Sequence, residues 1–187
     1  MTKRSVDVTD EFIDCLLCSC IFLENLCVVN SAYLTNLRVS SLLQRLKHLE
    51  VTYCFHLRII DISTPNLESF SYCGQAIELH IRHASSLSKV AVGSQDYNAS
   101  ISYAFDSFLQ YSSQLESLSL MMNLKYELNI QIINPPTLTN LKHLELCVIA
   151  CCNKTLLGWT SLIVAVPVMQ KLTLKASTPA SFHISNK

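Results

Sequence analysis

Glycine is nearly missing from this chain, with three residues among 187. Gly74, Gly93 and Gly158 stand apart, and neither G-x-G nor G-K-[ST] occurs. A glycine-rich loop cradling phosphate is therefore excluded. Charge is scarce as well: 15% of residues carry it, and the formal net charge is zero. No surplus of either sign marks a footprint for nucleic acid or an anionic membrane. Long apolar runs are lacking too. The longest, about 156–169, is too short for a bilayer and contains Pro167. The first residues have no apolar core of a secretory signal, because Lys3 and Arg4 are followed by Asp7, Asp10, Glu11 and Asp14. Without that signal the nine cysteines are expected to be reduced thiols, in the cytosol or nucleus.

What is present is apolar and periodic. Half of the residues are hydrophobic, far from a disordered composition. The stretch 46–72 reads LKHLEVTYCFHLRIIDISTPNLESFSY. Leu46, Leu49, Val51, Cys54 and Leu57 fit L-x-x-L-x-L-x-x-C-x-x-L, and the pattern restarts at Leu57 and at Leu67. The L-x-x-L-x-L core recurs from Leu23, Leu34, Leu46, Leu57, Leu67, Ala76, Leu87, Leu115, Leu141 and Met169. Such units are the signature of a leucine-rich repeat solenoid. The predicted fold class is α/β, with a parallel sheet on the concave wall and short strands and helices on the convex wall. One repeat domain is expected over 1–187, with repeats over about 6–175 and a ragged tail over 176–187.

The spacings are uneven: 11, 12, 11, 10, 9 and 11 residues early, then 28, 26 and 28. A unit near eleven residues is too short for a parallel crossover. The short units therefore read as half-coils, one strand on each wall. Concave strands are expected from Leu23, Leu46, Leu67, Leu87, Leu115, Leu141 and Met169, with convex returns at Leu34, Leu57 and Ala76. Helices replace the return before Leu23, Leu115 and Met169, where Leu16, Phe108 and Leu162 each sit seven residues ahead of the strand unit. Asp10 and Ser102 are candidate helix caps. The interval 123–139 is irregular, with Tyr126 to Ile133 a candidate convex strand, and 93–100 reads as a loop.

This phase places three columns on the concave face: Asn25, His48, Ser69, Lys89, Ser117, His143 and Lys171; then Cys27, Glu50, Ser71, Ala91, Ser119, Glu145 and Thr173; then Val29, Thr52, Cys73, Gly93, Met121, Cys147 and Lys175. The candidate binding residues are Asn25, His48, Glu50, Thr52, Ser69, Ser71, Lys89, Ser117, Ser119, Met121, His143, Glu145, Lys171 and Thr173. His48 and His143 fill one site in two LKHLE copies, with Glu50 and Glu145 two residues on. Alternation along a strand sends each pair to one face; solvated polar residues are the simpler reading of it.

Other clusters read as structural. Cys15, Cys18 and Cys20 have metal-like spacing but no second ligand pair, so they are read as small buried thiols on a helix face. Adjacent Cys151 and Cys152 are read alike. Cys54 holds the repeat position whose side chain bonds the turn backbone, as does Asn123. A nucleophile needs a base beside it and an orienting third group, and neither is placed for Cys54. No enzyme activity, cofactor or metal is expected.

The chain resembles plant F-box/leucine-rich-repeat proteins of the FBD-associated type. The resemblance rests on LLCSCIFLENLCV (16–28), LKHLEV (46–51), FLQYSSQLESLSL (108–120), LKHLEL (141–146) and LLGWTSLIVAVPVMQKLTL (156–174). It covers nearly everything from Val6 to about Lys175, without the F-box module. It implies the substrate-recognition part of a ubiquitin-ligase receptor, with a protein substrate or partner and no nucleic-acid or membrane partner. A cullin-ligase adaptor would be a partner only if an F-box is supplied elsewhere. The alternative is a solenoid sensing a hormone or inositol phosphate. Clustered Arg and Lys would serve such a phosphate, whereas Arg38, Arg45, Arg58 and Arg82 are scattered.

Overall fold

The computed structural model describes residues 8–94, 108, 110–123, 135, 137–149 and 160–177, with backbone only at 122, 123 and 177. In these residues the chain winds as a solenoid between two parallel sheets. The long sheet holds β1 (Asn25–Val29), β3 (His48–Thr52), β5 (Ser69–Gly74), β7 (Lys89–Ser94), β8 (Ser117–Asn123), β9 (His143–Ile149) and β10 (Lys171–Ser177), hydrogen-bonded in that order. The short sheet holds β2 (Asn36–Val39), β4 (Ile59–Ser63) and β6 (Glu78–Arg82). Early repeat units thus fall alternately on opposite walls, and the half-coil reading of the short spacings holds.

Alternation builds the core. Each long-sheet strand except β10 buries two apolar side chains: Leu26 and Val28, Leu49 and Val51, Phe70 and Tyr72, Val90 and Val92, Leu118 and Leu120, Leu144 and Leu146. The short sheet answers with Leu37 and Val39, Ile60 and Ile62, Leu79 and Ile81. The leucine opening each unit closes the corner, and Leu34, Leu46, Leu67, Leu87, Leu115 and Leu141 are at 0% exposure. At the third return the corner is filled by Ile77, and Ala76 is exposed.

A backbone ladder at the approach to each strand locks neighbouring coils together. The amides of Lys47, Glu68, Ser88, Glu116, Lys142 and Gln170 donate to the carbonyls of Glu24, Lys47, Glu68, Ser88, Glu116 and Lys142 at 2.8 to 3.0 Å. It crosses every coil boundary, so all seven strands share one register.

Among the described residues, side chains bond the edges of the short sheet. Helix α1 (Asp10–Ser19) lies beside β2. The Asp10 carboxylate accepts from the Thr35 amide at 2.7 Å, the Thr35 hydroxyl at 2.6 Å, the Asn36 amide at 3.1 Å and the Asn36 side-chain amide at 3.0 Å. In the next coil Arg58 and Ile59 present their amides to the Thr35 carbonyl. Asp10 therefore supplies the acceptor that a preceding coil would supply. It is not the helix cap that its sequence position suggested: Thr9 caps α1, accepting from the Phe12 amide. At the other end, the Gln110 side chain and the Tyr111 hydroxyl donate to the Ile81 carbonyl, and Gln114 donates to the carbonyls of Ala84 and Leu87.

Several expectations change. In α1 the buried pair is Ile13 and Leu17, an i, i+4 face, while Leu16 is half-buried and Phe12 exposed. Phe108 and Leu162 are buried as predicted, Leu162 within α2 (Thr160–Val164). Cys15, Cys18 and Cys20 are exposed, so they do not fill a buried helix face. The predicted loop at 93–100 starts later, because Gly93 and Ser94 end β7. The tail also starts later, since Ala176 and Ser177 extend β10 alongside Val148 and Ile149. Ser102, the 126–133 strand, Cys151 and Cys152 lie outside the described residues, as does the side chain of Asn123.

Candidate binding face

The outer side of the long sheet is built by register. Asn25, His48, Ser69, Lys89, Ser117, His143 and Lys171 are successive Cα partners across the seven strands. Two residues further on, Cys27, Glu50, Ser71, Ala91, Ser119, Glu145 and Thr173 form a second row. The third runs Val29, Thr52, Cys73, Gly93, Met121, Cys147 and Lys175. All fourteen candidate residues therefore share one face of one sheet. None of them is buried, since their partners in alternation carry the core.

Height varies along the face. Over β5, β7 and β8 the first two rows present Ser69, Ser71, Ala91, Ser117 and Ser119, with Lys89 the one long side chain. The third row is nearly flush there: Cys73 is buried, and Gly93 has its missing side chain replaced by its neighbours. A Cβ at Gly93 would lie 2.7 Å from Met121 Cε and 3.2 Å from Cys73 Sγ. This floor is flanked by two similar strands, β3 with His48 and Glu50 and β9 with His143 and Glu145.

Charges at the strand approaches belong to the same surface. Lys142 Nζ lies 3.0 Å from Glu116 Oε1, and Lys175 Nζ lies 2.8 Å from Glu145 Oε1. The hydrogen bond from Lys142, then its charge, holds the Glu116 carboxyl below its usual range, with Lys89 and His143 adding to the effect. The bond to Glu145 likewise pushes the Lys175 amine up.

Four of the described thiols, Cys27, Cys54, Cys73 and Cys147, are held away from their reactive form. Burial pushes the Cys73 pKa up to about 11. Burial and then the neighbouring Glu50 carboxylate raise Cys27. Burial raises Cys147, outweighing Lys175. The thiolate is the reactive form, and each environment disfavours it. Cys54 is also raised by burial, and its Sγ lies 3.6 Å from the Thr52 carbonyl and 3.9 Å from that of Val28. It serves the turn, as its repeat position suggested. Sequence reasoning missed its counterpart one coil earlier. Ser31 is buried, donates to the Val8 carbonyl at 2.8 Å and accepts from the Leu34 amide at 3.3 Å. Counting eight residues on from Leu23 would have found it.

The four arginines do not converge. Arg45 lies 5.0 Å over the Phe22 ring in the turns before β3 and β1, and Arg82 pairs with Asp61 on the short sheet. Arg38 is also on the short sheet, and Arg58 precedes β4. Among the described residues no three His, Cys, Asp or Glu side chains gather as a metal site.

Comparisons with curated proteins and with solved structures each gave no match. A family model does match over residues 1–186, and the chain belongs to the plant leucine-rich repeat family described as At1g61320/AtMIF1, LRR domain.

Proposed function

We propose that this chain is a non-catalytic recognition module that holds a protein partner on the outer face of the long sheet. One observation carries the reading: seven strands in a single register display three rows of mostly polar side chains. Leucine-rich repeat domains act as protein-interaction solenoids, and a surface of this kind offers width without a deep pocket. The raised pKa values of Cys27, Cys73 and Cys147 on this face support a role without thiol chemistry there. The motifs shared with plant F-box proteins support the finer reading, a substrate receptor of a ubiquitin ligase whose F-box is supplied by another segment or chain. That role places it in the cytosol or nucleus, where free thiols such as the seven described cysteines persist.

The experiment compares Ser71→Arg/Ser119→Arg, which raises two long side chains from the floor, with Arg38→Glu/His80→Glu on the opposite sheet. Cross-linking and pull-down from plant extract are read for each. The first variant is expected to lose partners that the native chain and the second variant keep. Equal capture by all three would overturn the reading. Joining the chain to an F-box should direct the captured partner to ubiquitylation; capture without modification would remove the ligase role and leave the module.

A further inference from the structure

The outer face of the long sheet sorts its charges by end. Toward β1, at the approaches to and on β1, β3 and β5, stand Glu24, Glu50 and Glu68 against Lys47, all exposed. Among the described residues none of these four enters an ion pair. Toward β10 stand Lys142, Lys171 and Lys175 against Glu116 and Glu145, with Lys89 midway on β7. Both glutamates there are already paired, with Lys142 and Lys175. Lys89 and Lys171 are exposed and make no ion pair among the described residues. Between the two ends lies the low floor of serines and Ala91. A chain with no net charge thus carries a face that is acidic at one end and basic at the other. Unpaired surface charge of this kind selects and orients a partner more than it adds affinity.

Resting on the reading of this face as a protein-binding surface, we propose that its partner is an extended polypeptide segment lying across the strands. The segment is basic at the end over β1 and β3, acidic at the end over β9 and β10, and built of small residues over the floor of β5 to β8, where Lys89 alone reaches out. Glu50 on β3 and Lys171 on β10 are five strand steps apart. At about 4.8 Å per step that is about 24 Å, which about seven residues of extended chain span. Small central residues follow from the floor, which gives a crossing backbone close approach and offers no pocket for a large side chain.

A library of random twelve-residue peptides displayed on phage, selected on the native chain and counter-selected on Ser71→Arg/Ser119→Arg, tests this. The enriched peptides are expected to hold basic and acidic clusters separated by small residues. Lys89→Glu/Lys171→Glu should weaken a selected peptide about tenfold and shift a fresh selection to uniformly basic sequences. Raising salt should weaken the native complex. Enriched peptides without separated charge clusters, or indifferent to the lysine variant, would overturn the proposal and leave the protein-binding reading standing. No enrichment over the arginine variant would overturn both. Sedimentation of the chain alone supplies a further outcome: a dimer dissolved by Lys89→Glu/Lys171→Glu would assign the face to a second copy and overturn the peptide partner.

Discussion

Asp10 stands in for a whole coil, so its removal tests how much the end of a sheet depends on one side chain. Its carboxylate takes the backbone amides of Thr35 and Asn36, which have no preceding strand to bond. Asp10→Ala leaves them unpaired at a half-buried site, and a loss of about 1–3 kcal/mol is expected in urea denaturation. The same contacts set a pH dependence. Burial pushes the Asp10 pKa up, but the bonds from Thr35 and Asn36 outweigh it, and the value lies below the ordinary 3.8. A depressed carboxylate binds fewer protons folded than unfolded, so its stabilisation is complete above the ordinary value and is lost as pH falls through the folded one. Asp10→Asn should therefore differ most from the native chain near neutrality, and the two denaturation midpoints should converge in acid. A constant gap down to low pH would sink the assignment. Tyr53 offers the opposite sign. It holds φ of 60°, where Asn30 in the preceding coil holds 56°. A left-handed backbone costs a bulky L-residue about 1–2 kcal/mol and asparagine less. Tyr53 is partly exposed, so Tyr53→Asn should raise the midpoint, and a lowered one would show that the ring contributes more than the strain costs.

Equivalent positions in β9 and β10 compare an inner strand with the edge strand of the described sheet, and this reads the contribution of stacking. Leu146 in β9 is 1% exposed, while its register partner Leu174 in β10 is 55% exposed. Leu146→Ala should cost about 2–5 kcal/mol, as core truncations do. Leu174→Ala should cost less than about 1 kcal/mol, because little of it leaves water on folding. Equal losses would mean that β10 is covered in solution. Element placement was legible because burial on both walls imposes the leucine pattern twice per coil, and a half-coil length cannot be anything else sterically. Helix returns were legible in apolar spacing, with Leu16, Phe108 and Leu162 each seven residues ahead of the next unit. Less legible were the places where side chains replace backbone. Asp10 at the first helical position reads as a cap by local rules, and only the third dimension brings Thr35 and Asn36 beside it. The exposure of Cys15, Cys18 and Cys20 was hidden for a related reason: Ile13 and Leu17 already fill the face that α1 turns inward. The rows of the long sheet could be drawn in advance, since one register fixes them all. Their charge separation needed the ion pairs of Lys142 and Lys175 to show which charges remain.

A molecule in which each coil touches only its neighbours should open from its ends. Breaking one coil interface frees β10, whereas releasing β5 or β7 requires interfaces on both sides to part. The edge is also poor in buried apolar surface, with Leu172 and Leu174 exposed where every other long-sheet strand hides the equivalent pair. Opening free energies should therefore rise from the β10 end toward the middle. Hydrogen exchange followed by mass spectrometry reads this directly. Peptides covering 171–177 should exchange first, those covering 143–149 next, and those covering 69–74 and 89–94 last. The first coil should resist better than the last, because α1 and the Asp10 contacts close the wall behind β1, and Asp10→Ala should speed exchange at 36–39 while leaving 171–177 unchanged. Uniform exchange across all seven strands would show a single cooperative unit, in which an end coil does not open without the rest. In that case the low floor over β5 to β8 would be held no more rigidly than the rim, and a partner lying across it would gain nothing from binding at the centre of the sheet.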